Sequence, residues 1–252
     1  MKLSLSLVSF ALLGSLLSSP AGAVGRLVDL SVIDRETGEQ LRVYEHRGNY
    51  YVAGTPGNRY AVVVRNNAGS RAMTVVSVDG VNVITGETAA PGQSGYVLGA
   101  YGATEINGWR KSMEEVAAFV FDKERKSYAA RTGRPENIGV IGVAVFREKL
   151  QQPIMPAPRQ RLYEQDNAPA AAAESAVRGL AKDSVSRLGT GHGQREEAQA
   201  SYTSFERASS APAEIISIRY DSYRNLVNQG VIVAQRPRQP DPFPGRFVPD
   251  PG

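Results

Sequence analysis

From Arg26 to Glu148 apolar and polar positions alternate in short runs, with turn-forming residues at intervals of about eight to twelve positions. "LVDLSVI" (27–33) and "EQLRVYE" (39–45) flank "DRETG", whose glycine supplies the positive φ of a tight turn, so a β-hairpin is expected. "NYYVAG" (49–54) follows, and "RYAVVVRN" (59–66) and "RAMTVVSV" (71–78) bracket "NAGS". Asp79-Gly80 separates "VVSV" from "VNVI" and is the strongest turn signal, because this pair suits a type I′ hairpin. "GYVLGA" and "ATEI" come after a Pro/Gly loop, and "EVAAFVF" (115–121) and "GVIGVAVF" (139–146) complete the series. No helix-length 3.6-residue period interrupts it. The pattern predicts a mainly-β fold, an antiparallel β-sandwich over residues 24–150.

Beyond residue 150 the pattern changes. "QQPIMPAPRQ" holds three prolines and reads as a spacer that cannot join a sheet ladder. In the alanine-rich run that follows, Val177, Leu180, Ser184, Val185 and Leu188 share one helical face, and Gly189 is placed to end the helix. The alternative is a partly disordered alanine linker. Residues 151–188 are thus a Pro/Ala-rich linker with one Ala-rich helix. Residues 189–235 are an α+β segment: "AEIISIRY" as a strand, Asp221 capping the short helix "SYRNLVNQ" that Gly230 ends, and "VIVA" as a second strand. This strand-helix-strand piece is too small to bury a core alone and is expected to dock on the sandwich. Residues 236–252 carry six prolines and are expected to form a disordered Pro-rich tail.

Residues 1–23 look like a signal peptide: Lys2, an apolar stretch from Leu3 to Leu17, and small residues at Ala21-Gly22-Ala23. The apolar stretch is shorter than the roughly 20 residues of a membrane anchor. Cleavage after Ala23 is expected, with a mature protein that lacks a transmembrane segment and resides in the periplasm, or is secreted. The absence of cysteine removes disulfides, thiol catalysis and cysteine metal sites. A formal charge of +4 without a concentrated basic stripe gives no nucleic-acid signature.

Little in the chain points to catalysis. His46 and His192 stand far apart and lack zinc spacing, and no calcium-loop motif occurs, so neither metal nor cofactor is expected. "GTGHG" (189–193) is no phosphate loop; it reads as a flexible helix exit, or else places His192 at a cleft. No G-x-S-x-G elbow is present. Glu114 and Glu115 point to opposite faces of a strand, a poor acid/base pair unless one of them has a distant partner. Ser112 and Glu115 also fit a capping box, which would put a brief helical turn before the strand.

Aromatics and arginines are more suggestive. Trp109 and Tyr128 could stack on a ligand, or pack in the core as sandwich aromatics do. In "SYAARTGRP", expected as a loop, Arg131 and Arg134 could hold an anionic group, or pair with Glu136 or Asp122. The candidate ligand-binding set is Trp109, Arg110, Tyr128, Arg131, Arg134 and His192. As a ligand contact, Trp109→Ala would weaken capture and leave the fold intact; as packing, it would lower the melting temperature.

"VSVDGVNVITG", "GYVL", "INGWRKS", "SYAARTGRP" and "GVIGVAVF", with "LGTGHG" and "IRYDSYRNLVNQGVI", resemble a group of uncharacterised exported proteobacterial proteins. The resemblance implies that these segments form one recurring unit, with the C-terminal piece belonging to the sandwich; no activity carries over from it. The functional expectation is a non-enzymatic periplasmic protein that binds an envelope component or a protein partner. The alternative is a hydrolase acting on envelope polysaccharide or peptide.

Overall fold

The computed structural model describes residues 24–150 and 187–233; residues 1–23, expected as a signal peptide, the proline spacer, nearly all of the alanine run and the proline-rich residues 236–252 lie outside them. Two sheets face each other across one apolar core. The first has the order β1 (Val28–Asp34), β4 (Arg59–Asn66), β10 (Glu115–Lys123), β12 (Leu188–Glu197), with β8 (Ala103–Ile106) beside β4 and β9 (Gly108–Arg110) beside β10. The second runs β2 (Val43–His46), β3 (Asn49–Gly54), β13 (Glu214–Ser222), β11 (Val140–Arg147), β5 (Ala72–Val78), β6 (Val81–Asn82), with β7 (Tyr96–Leu98) beside β5. The expected mainly-β sandwich is present. Pairing is antiparallel except between β3 and β13, where Ile218 lies opposite Tyr50 in parallel.

Inward positions at every second residue explain the alternation: Leu30 and Val32, Val62 and Val64, Val76 and Val78, and Ile141 and Val143 all lie in the core. In β5 and β11 the outward positions are apolar too. Met73, Val75, Ala144 and Phe146 form a second cluster against Val97 and Phe205, and Arg207 lies 4.1 Å over the Phe146 ring. Burial on both faces is what makes these two strands near-continuous apolar runs.

The C-terminal piece docks by completing both sheets. β12 extends the first sheet beyond β10, and β13 fills the space between β3 and β11. Three local expectations change. Leu188 and Gly189 belong to β12, not to a helix end, because "GTGHG" is strand. A Cβ on Gly189 would stand 2.6 Å from the Ser127 Cβ, so glycine serves close packing there, not a flexible exit. Ser222, not Asp221, caps α2 (Tyr223–Asn228) by accepting from the Asn225 N–H, and Gly230 follows at φ +71°. Val231 and Ile232 form no strand and instead pack with Leu226 on Tyr44 and Tyr51.

The Asp79-Gly80 turn is type I′ as expected, with φ of +53° and +73°. Its further role was not visible in the sequence. The buried Asp79 carboxylate accepts from the Tyr220 hydroxyl (2.5 Å) and the Gly139 N–H (2.9 Å) through Oδ1, and from the Thr190 N–H (2.7 Å) through Oδ2. The Thr190 hydroxyl lies 2.5 Å from both the Tyr220 and Tyr60 hydroxyls. This buried polar chain links β13 and the β5–β6 turn of the second sheet to β12 and β4 of the first. Burial pushes the Asp79 carboxyl up and holds both phenols well above their usual range, so the tyrosines stay protonated donors. Thr190 is thereby fixed, and with it the strand that presents His192 two residues on.

Candidate functional site

At one end of the first sheet, the chain leaving β10 makes a 3-10 turn at Glu124–Lys126 and then α1 (Tyr128–Arg131). Ser127 is buried and caps α1 by accepting from the Ala130 N–H, and Gly133 turns the chain out at φ +75°. The segment expected as a loop is therefore a capped helical turn pinned against Gly189 of β12. Val120, Asp122, Arg125, Lys126, Arg131, Gly191 and His192 line an open cleft of about 500 Å³ between these elements.

Behind the cleft lies an aromatic stack. Trp109 is 1% exposed, packed edge-on against Phe119 with ring centres 4.9 Å apart and tilted against Tyr128 at 5.0 Å. The exposed His192 ring lies parallel to the indole within 10° at 6.4 Å, with Tyr128 at 5.7 Å. Lys111 sits 5.4 Å from the centre of the Tyr128 ring. Partial burial, then the Lys111 and Arg131 cations, lowers the His192 pKa; partial burial and Arg195 lower that of Lys111. The field at this end is positive. Glu124 is held by Arg187 (3.7 Å) and Glu115 by Arg195 (3.2 Å), while Arg125, Lys126 and Arg131 have no ion-pair partner among the described residues.

The six sequence-chosen residues divide. Arg131 and His192 line the cleft, and Tyr128 supports it from the side. Trp109 is in the core beneath His192, not on a rim. Arg110 turns away: its guanidinium donates to the Ser112, Met113 and Ala198 carbonyls and stacks on Tyr96. Arg134 donates to the Gly86 carbonyl across the sandwich and stays off the cleft lining. Asp122 was expected only as an ion-pair partner of the arginines, and Arg125 and Lys126 were missed, although "DKERKS" after an apolar strand is a visible charge run. No helical turn forms at Ser112; its hydroxyl accepts from the Glu114 and Glu115 N–H groups within a bend.

Among the lining residues Asp122 is the one carboxylate, and the nearby Ser127 hydroxyl is buried on its capping bond. The cleft thus brings together an anion-attracting rim, one acceptor carboxylate and a flat imidazole. His192 protonation has a direct reporter, because Trp109 is the single tryptophan and imidazolium quenches a stacked indole. Fluorescence is expected to fall in a step as pH drops through a midpoint below 6.5, and His192→Gln should abolish the step. A step that survives His192→Gln assigns the quenching elsewhere. No helix among the described residues is long and apolar enough to cross a membrane. No family model, curated protein or solved structure matches the chain.

Proposed function

We propose that the protein is an exported periplasmic binding protein, acting without catalysis, that captures an anionic group of an envelope component in the Arg125/Lys126/Arg131/His192 cleft. The observation that carries this reading is that three cations without an ion-pair partner among the described residues line one cleft together with an imidazole. Keeping like charges together without a counter-ion costs free energy, and an anionic ligand removes that cost. Asp122 is the one carboxylate of the lining, whereas glycoside hydrolysis takes a pair, and this favours capture over hydrolysis.

Co-sedimentation with purified envelope polysaccharide and peptidoglycan tests the reading. The triple variant Arg125→Gln/Lys126→Gln/Arg131→Gln should bind at least about tenfold more weakly with an unchanged melting temperature, and added salt should weaken the wild type. A triple variant that binds like the wild type overturns it. Export is checked separately by fractionation, with Val24 expected as the mature N-terminus.

A further inference from the structure

Resting on the anion-capture reading, we infer that the cleft's ligand is an acidic saccharide, a carboxylate-bearing sugar chain, not a bare phosphate or sulfate. Three features of the cleft point the same way. The first is Asp122. A site built only for a dense anion gains nothing from a carboxylate among its cations, since that carboxylate repels the ligand. Asp122 nevertheless lines the cleft beside Gly191, where a Cβ would stand 3.2 Å from Oδ2, so the strand leaves that oxygen room. One oxygen, Oδ1, accepts from the Lys123 N–H, and Oδ2 has no hydrogen-bond partner among the described residues. An acceptor placed this way suits a hydroxyl donor on a ligand that carries its negative charge elsewhere.

The second feature is the imidazole. His192 lies nearly parallel to Trp109 with ring centres 6.4 Å apart and has Tyr128 at 5.7 Å, while the residue as a whole is exposed. A flat ring flanked by aromatics and open to the cleft offers a surface for stacking on the C–H face of a pyranose. The third is the number of the cations. Arg125 and Lys126 come from the 3-10 turn and Arg131 from the end of α1, so two elements supply three cations to one lining. Three cations suit a ligand that carries more than one carboxylate. The cleft volume of about 500 Å³ falls in the range of small-molecule sites and accommodates more than an inorganic ion. A neutral sugar would leave the cations unpaired, and phosphate would meet Asp122.

The test compares trigalacturonate, maltotriose and inorganic phosphate by calorimetry on the full mature chain, with Trp109 fluorescence as a second readout. Trigalacturonate should bind about tenfold tighter than either of the others. Asp122→Asn should weaken trigalacturonate about five- to tenfold and leave phosphate unchanged or tighter, while Arg131→Gln weakens both. Asn retains the Oδ1 acceptor for Lys123, so the melting temperature should hold. Phosphate that binds as tightly as trigalacturonate, through Arg131 and insensitive to Asp122→Asn, overturns the saccharide inference and leaves anion capture standing. Trigalacturonate binding that Asp122→Asn leaves intact also overturns it. Failure of both anions to bind at millimolar concentration overturns both.

Discussion

Asp79→Ala is expected to lower the unfolding free energy by about 4 kcal/mol, a large share of the roughly 5–15 kcal/mol that holds a domain together. The substitution strands the Thr190 and Gly139 N–H groups in the core, at about 1–3 kcal/mol each, and takes the acceptor from Tyr220. It also forces alanine to φ +53°, costing about 1 kcal/mol that aspartate and asparagine tolerate better. Asp79→Asn separates these effects. It preserves turn preference and size, but one oxygen becomes an NH2 group facing a backbone donor, so a loss of about 2 kcal/mol is expected. Because burial raises the Asp79 pKa above 3.8, the folded state holds that proton at pH values where the unfolded chain has released it. Its contribution is therefore complete below 3.8 and is lost as pH rises through the folded value. The stability gap between wild type and Asp79→Asn should widen as pH falls from neutral towards 4. Urea unfolding at several pH values measures it; a gap that narrows instead would mean that the hydrogen bonds outweigh burial.

The strands were legible and their partners were not. Short apolar runs between turn signals mark β3, β4 and β5, and the Asp-Gly pair fixes one hairpin, because those signals are local. Yet "NAGS" does not join a hairpin. Asn66 donates to the Ser70 and Gly99 carbonyls and accepts from the Ala68 N–H, carrying the chain from one sheet to the other. "DRETG" likewise closes only a short bridge, Ile33 to Gln40, before β2 pairs with β3 in the opposite sheet. "GTGHG" misled because the need for small residues comes from Ser127 and Ile138, far earlier in the chain. The same non-locality hid half of the site. His192 and Arg131 stand out as residue types, whereas Asp122, Arg125 and Lys126 acquire meaning only when β12 is laid beside β10. Arg110 and Arg134 looked equivalent to Arg131 in sequence; which arginine is consumed by carbonyls is decided by the fold.

Trp109→Ala decides between the two roles the sequence left open, and the expected result is a loss of stability of about 3–5 kcal/mol. The indole fills space between Phe119, Tyr128 and His192, and β9, which carries it, is held to β10 by their ladder, so the site cannot collapse onto the void. The indole N–H is buried without a partner, so no hydrogen bond is lost with it. Trp109→Phe should therefore cost much less, within about 1.5 kcal/mol, because removing a stranded donor offsets part of the smaller ring's cavity. Ligand capture measured well below the melting temperature should fall modestly in the alanine variant, since His192 loses its support but the rim cations remain. Arg131→Ala should do the reverse, weakening capture while thermal stability stays near wild type, because this arginine is exposed and has no ion-pair partner among the described residues. Equal melting temperatures for Trp109→Ala and wild type would return the indole to the rim and remove the stacked imidazole as a built element of the site.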